Sequence, residues 1–187
     1  MIQTAVKTVG VFCAASDRVD AAYSEMALQF GRWLGGQGMT LVYGGAASGL
    51  MESVARGVKE CGGRVVGVVP RILEEHGRVS RLIDEAVPCR DLNDRKAVMA
   101  ERSDVLVALP GGVGTLDEVF TVMAAHSIGY HTKRVILFDT SGFWDGLAEV
   151  LQAMDARRFI NMPLERCLSL ARSWQELEEL FVTVSVR

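Results

Sequence analysis

The residues with the most chemical content lie in one stretch, residues 105–118, Val-Leu-Val-Ala-Leu-Pro-Gly-Gly-Val-Gly-Thr-Leu-Asp-Glu. Gly111, Gly112 and Gly114 permit backbone dihedrals and a close approach that a Cβ forbids. Thr115 and Glu118 have the Thr-x-x-Glu spacing of a capping box, which predicts a helix starting at Thr115 with the Glu118 carboxylate bonded back to the Thr115 backbone. The apolar run 105–109 ahead of them reads as a strand buried on both faces, ended by Pro110, which cannot donate to a ladder. A strand that passes through glycines into a helix N-terminus offers free N–H groups and the positive end of the helix dipole, and the anion expected there is a phosphate. Glu118 then has two readings. It is a helix cap, or it acts on an uncharged or cationic part of the ligand, because a carboxylate beside a phosphate repels it.

A second glycine-rich turn, Gly44-Gly-Ala-Ala-Ser-Gly-Leu-Met51, follows the predicted strand 40–43 and opens another helix. Neither turn is a P-loop or a dinucleotide fingerprint. The plain structural alternative for both is a tight strand-to-helix connection. Two such turns at one edge of a sheet favour a shared ligand pocket. Arg95 and Lys96 lie on the helix before the phosphate turn, which can bring one of them to the pocket mouth, and arginine suits bidentate recognition of phosphate or hydroxyls. Ser16 and Asp17, after the first strand, are candidates for the same pocket, with Asp139 and His76 weaker ones. His126 and His131 have no Glu at zinc-protease spacing, and no Gly-x-Ser-x-Gly elbow occurs, so neither a metal site nor a serine nucleophile is expected.

The elements that must position these residues alternate. Strands are predicted at 8–15, 40–43, 64–69, 105–109, 135–138 and 167–170, with a short extended piece near Ala86 and Val87. The helix through Tyr23, Met26, Ala27, Phe30, Trp33 and Leu34 shows one apolar stripe, which Gly35, Gly36 and Gly38 are expected to end. Asp91 or Asn93 caps a helix to about 103, and residues 70–82 form an exposed loop or short helix. Further helices are expected at 143–154 and from about 173. The pattern is α/β, a doubly wound, mostly parallel sheet with helices on both faces, as one domain over 1–187. The helix at 116–128 is apolar on more than one face, which points to packing against a second subunit.

A net charge of −3 gives no bulk reason for binding nucleic acid or an anionic membrane, so local groups must hold any anion. Cys13, Cys61, Cys89 and Cys167 form no Cys-x-x-Cys pair, no secretory signal opens the chain, and a cytosolic location is expected. No apolar run approaches the roughly 20 residues that span a bilayer.

Pro110-Gly-Gly-Val-Gly-Thr-Leu-Asp-Glu118, taken with Tyr43-Gly-Gly-Ala-Ala-Ser-Gly-Leu-Met51 and Arg95-Lys96, resembles the LOG ("Lonely Guy") family, the cytokinin riboside 5'-monophosphate phosphoribohydrolases often mislabelled lysine decarboxylases. The resemblance implies a Rossmann-like homodimer that hydrolyses the N-glycosidic bond of a nucleoside 5'-monophosphate, a cytokinin ribotide or AMP, to free base and ribose 5-phosphate. It implies Arg95 and Glu118 as the catalytic pair, and Gly111, Gly112, Gly114 and Thr115 as the phosphate cradle. Ser16, Gly44, Gly45, Gly49, Leu92, Lys96, Pro110 and Val113 are the remaining candidates for substrate contact. Neither a metal nor an organic cofactor is implied, and no lysine has a recognisable pyridoxal-phosphate setting. Ala46 and Glu52 replace family glycines, Leu92-Asn-Asp-Arg-Lys96 replaces a Met-x-x-Arg-Lys start, and Ala124-Ala-His126 replaces a Trp-Ala-Gln-like segment. The competing reading is a non-catalytic nucleotide-binding or carrier protein on the same fold.

Overall fold

A computed structural model describes residues 6–185. In chain order the elements are β1 (Thr8–Phe12), α1 (Ala21–Gly36), β2 (Thr40–Tyr43), α2 (Gly49–Glu60), β3 (Val65–Pro70), α3 (Arg71–Glu75), β4 (Glu85–Cys89), α4 (Leu92–Glu101), β5 (Val105–Ala108), α5 (Val113–Ser127), β6 (Val135–Phe138), α6 (Asp145–Ala156), β7 (Leu168–Ala171) and α7 (Trp174–Ser185). The strands form one sheet in the order β4-β3-β2-β1-β5-β6-β7. Every pairing is parallel.

The central strands are largely apolar because helices cover both of their faces, and all four residues of β5, Val-Leu-Val-Ala, are buried. Side chains alternate between two cores. Val9, Val11, Leu41 and Tyr43 meet Phe30, Leu34, Leu50 and Val54 on the α1/α2 side. Phe12, Val42, Leu106 and Ala108 meet Met99, Val119, Val122 and Leu151 on the side of α4, α5 and α6. The weak extended signal at Ala86–Val87 is the edge strand β4, whose alternating exposure reflects cover on one side. Gly35 and Gly36 fall inside α1, and the chain breaks out at Gly38, which has φ +70°.

From β1 the chain winds outward through β2, β3 and β4, then returns to place β5 on the other side of β1. Val11 pairs with Val107 and Phe12 with Ala108 at this reversal. Beyond the paired residues, Leu109 N donates to Phe12 O at 2.9 Å and Ala14 N to Pro110 O at 3.1 Å, so the segments leaving β1 and β5 stay joined as far as Ala14 and Pro110. The crevice at such a reversal is where doubly wound sheets bind ligands.

Candidate active site

The crevice is a cavity of about 310 Å³ lined by Ala14, Ser16, Val19, Tyr23, Leu50, Pro110, Gly111, Gly112 and Phe143. It joins the exits of β1 and β5 with the first turn of α2. The glycine turn after β5 supplies one wall, through Pro110, Gly111 and Gly112, though the helix starts earlier than the capping-box spacing predicts. Gly112 adopts extended dihedrals and is the N-cap, α5 begins at Val113, and Leu116 N donates to Gly112 O at 3.0 Å. Thr115 is therefore the third helical residue, and Glu118 sits three residues too deep to reach back. The predicted box does not form, and no side chain caps this N-terminus. Its first N–H groups are left for a ligand, as the anion-site reading requires.

The glycines of this turn divide by role. A Cβ on Gly111 would meet the buried Thr115 side chain. Gly112 and Gly114 have open space where a Cβ would stand, and neither has a positive φ. The fold does not demand them. Their missing side chains clear an approach to the α5 N-terminus.

The first glycine turn behaves differently. Its helix end is already filled, since Gly49 N donates to Asp17 Oδ1 at 2.7 Å and Leu50 N to Ala14 O at 2.9 Å. Gly49 has φ +56°, and a Cβ there would lie 2.7 Å from the Ala15 backbone. Asp17 thus holds this turn against the exit of β1 instead of lining the cavity, while Leu50 forms part of the wall. Gly45 O accepts from Ser80 N at 2.9 Å, which anchors the segment after α3.

Glu118 meets Arg95, not its own backbone. Arg95 Nη2 lies 2.7 Å from Glu118 Oε1, and the two side chains are 15% and 3% exposed. Arg95 Nη1 stands 3.2 Å from the Cβ position of Gly44, beside Met51 Cε at 3.3 Å. Arg95 Nε is buried with no hydrogen-bond partner. Burial raises the Glu118 carboxyl to about 7 even though the Arg95 charge and hydrogen bond pull it down. The Cys13 thiol is raised by its own burial and then by the negative charge of Glu118. Cys13 and Met51, which stand near the pair, are the chain neighbours of the wall residues Ala14 and Leu50, while Arg95 and Glu118 do not themselves line the cavity. A buried carboxylate poised near neutrality beside an anion cradle suits proton transfer or stabilisation of a cationic transition state.

Other predicted residues fall elsewhere. Lys96 turns away from the cavity, with Nζ 2.9 and 2.8 Å from the two carboxylate oxygens of Asp117. Leu92 and Val113 are exposed on the outer side of α4 and α5. Asp139 is buried and accepts from Ser141 N, Ser141 Oγ and Phe143 N, which makes it the brace of the loop carrying Phe143. His76 Nδ1 contacts its own helix at Ile72 O. His126 and His131 stack edge to face, 6.0 Å apart, and among the described residues no group of three or more His, Cys, Asp or Glu could hold a metal ion. Sequence reasoning missed Phe143 and Val19 as wall residues, and placed Tyr23 wholly in the core stripe although it packs edge-on to Phe143 at 5.7 Å. It also missed Asp117, for which the signal was present: an acidic doublet, Asp117-Glu118, to match the basic doublet Arg95-Lys96.

The fold and site together define a Rossmann-like α/β protein with an uncapped helix N-terminus at its topological switch point and a buried Arg–Glu pair beside it. Comparison with known proteins narrows this. Residues 51–181 match the family model described as "Possible lysine decarboxylase". The cytokinin riboside 5'-monophosphate phosphoribohydrolase of Mycobacterium tuberculosis is 39% identical over 147 residues, 79% of this chain and 78% of that one. A protein of the same activity name from Arabidopsis thaliana is 37% identical over 147 residues, 79% of this chain and 64% of the other. Among solved structures, the molybdenum cofactor carrier protein of Chlamydomonas reinhardtii superposes with a TM-score of 0.73 at 23% identity, covering 97% of this chain and 99% of that one, a likeness of fold. The chain belongs to the LOG family, the group that this family model describes.

Proposed function

We propose that this chain is a phosphoribohydrolase that cleaves the N-glycosidic bond of a nucleoside 5'-monophosphate, AMP or a cytokinin ribotide, to give free base and ribose 5-phosphate. The observation that carries the reading is the buried Arg95–Glu118 pair at 2.7 Å, set near the cavity at the uncapped N-terminus of α5. The names of the relatives supply the substrate class.

The 5'-phosphate sits at Gly112, Val113 and Gly114, where free N–H groups and the α5 dipole hold it. Binding energy gathered there fixes the ribose away from the reacting carbon. Glycosidic cleavage passes through an oxocarbenium-like transition state, which the Glu118 carboxylate stabilises while orienting the attacking water. Arg95 favours the charged form of that carboxylate against its burial and lends its remaining donors to the ribose or the departing base. The reaction needs no group beyond these residues and water.

The active species is a cytosolic homodimer joined through the outer face of α5. Val113, Phe120 and Ile128 are exposed along this one helix and its cap, Tyr130 is exposed just past it, and Leu92 is exposed at the start of α4. Between α4 and α5 runs a groove of about 470 Å³ whose lining includes Ala97, Ala100, Val122 and Ala125, a surface suited to a second copy.

The test is incubation with AMP and with isopentenyladenosine 5'-monophosphate, with free base measured by chromatography. Wild-type protein releases base, and Glu118→Gln lowers kcat by about 10²-fold or more while nucleotide binding persists. Tight binding without base release by the wild type would overturn the hydrolase reading in favour of a carrier.

A further inference from the structure

The Arg95–Glu118 pair has a twin one residue along on each helix: Lys96 is next to Arg95 on α4, and its partner Asp117 is next to Glu118 on α5. Successive helical residues point about 100° apart, so the two rungs face different ways. The Arg95 rung meets Gly44 and Met51 at the site, while the Lys96 rung borders the groove with Ala97, Thr121 and Val122. Lys96 engages both oxygens of Asp117, and its side chain is 8% exposed against 53% for Asp117. A cation so deeply placed is strongly committed to its partner, unlike an exposed surface pair.

The need for such a tie follows from α4 itself. Of its ten residues, Lys96 and Met99 are the buried ones. Met99, with the partly buried Val98 and Ala100, is its apolar anchor on the sheet, and Lys96 is its one buried charged residue. Arg95 must reach from the same helix to Glu118 with sub-ångström accuracy, since small misplacements of catalytic groups are costly.

We propose that Lys96 and Asp117 are positioning residues for the reaction, their ion pair fixing α4 against α5 and so holding the Arg95 guanidinium on Glu118. The inference rests on the hydrolase reading for its kinetic consequence, and on geometry alone for its structural one. The charged and titratable groups acting on Glu118 are Arg95 and Lys96 from α4, Asp117 from its own helix and Cys13 at the exit of β1. Among these, Lys96 favours the carboxylate and Asp117 opposes it.

The experiment compares Lys96→Met, Asp117→Asn and Asp117→Glu with the wild type, after sedimentation and thermal melting have shown each to be folded and assembled alike. Lys96→Met and Asp117→Asn each lower kcat for AMP by about tenfold or more with KM within about twofold, and Asp117→Glu, which keeps the pair, recovers most of the rate. Loosening Arg95 removes the strongest influence favouring the Glu118 carboxylate, so the acidic limb of kcat moves to higher pH in both variants, whereas loss of the Asp117 charge alone would move it to lower pH in Asp117→Asn. Lys96→Met keeps the native Asp117 and removes the buried cation, so it carries the test if Asp117→Asn strands its buried lysine and fails to fold. Unchanged kcat in the folded Lys96→Met variant overturns the proposal. A wild type that releases no base defeats the hydrolase reading instead. The positioning role is then read from nitrogen-15 NMR of the Arg95 guanidinium, whose rotation is restricted in the wild type and freed in Lys96→Met. Equal restriction in both would overturn it.

Discussion

The ionisation of Glu118 offers the sharpest test of the site. Its side chain is 3% exposed, and burial raises its carboxyl to about 7 against the pull of Arg95. If the carboxylate is the working form, kcat rises with unit slope through the acidic range and levels off above pH 7. At pH 5 a group titrating at about 7 is about 1% ionised, so kcat should be about 100-fold below its plateau, whereas an ordinary glutamate would already be about three-quarters ionised. The measurement is single-turnover release of adenine from AMP between pH 4.5 and 9. Reading kcat keeps the second ionisation of free AMP, near pH 6, out of the limb, and the negative charge of bound phosphate pushes the Glu118 carboxyl further up, so the limb stands no lower than in the free protein. Arg95→Gln removes the strongest charge favouring the carboxylate, so its limb should move further up. A wild-type limb near 4.5, or a rate that falls above pH 7, would refute the assignment of Glu118 as a buried carboxylate acting in its charged form.

The same shift has a consequence for folding. Below about 4.5 Glu118 is protonated in both states; between 4.5 and about 7 the unfolded chain loses its proton first, so stability falls as pH rises through that window. Urea titrations from pH 4 to 8 should show the wild type losing about 3 kcal/mol relative to Glu118→Gln across it, and parallel curves would contradict the burial argument. Gly112→Ala and Gly114→Ala meet no neighbouring atom, so both should melt near the wild-type temperature yet raise KM for AMP by crowding the α5 N-terminus, an outcome checked by calorimetry and initial rates. Gly49→Ala forces a Cβ toward the Ala15 backbone at a φ of +56° and should destabilise by about 1–3 kcal/mol in chemical denaturation.

What the sequence by itself determined was local and periodic. The apolar runs at 40–43 and 135–138 became β2 and β6 without adjustment, because a strand buried on both faces has no other way to spend such a run. The glycine turn after β5 announced an open helix N-terminus, because missing side chains and a helix start lie within a few residues of one another. The capping box failed for the same local reason. Thr115 and Glu118 fit its spacing, but Gly112 can hold the extended cap dihedrals, so the helix begins at Val113 and releases Glu118 for another partner. Which partner that would be lay beyond any window along the chain. Arg95 and Glu118 are 23 residues apart, and it is the crossing of α4 over the path to α5 that brings them to 2.7 Å and out of water. Burial on that scale, and the carboxyl raised to about 7, come from the packing of α5 with α4 and the exit of β1 together. The residue types were legible because chemistry is local. Their distances and ionisation were decided by tertiary packing, because the dielectric around a charge is set by everything that surrounds it.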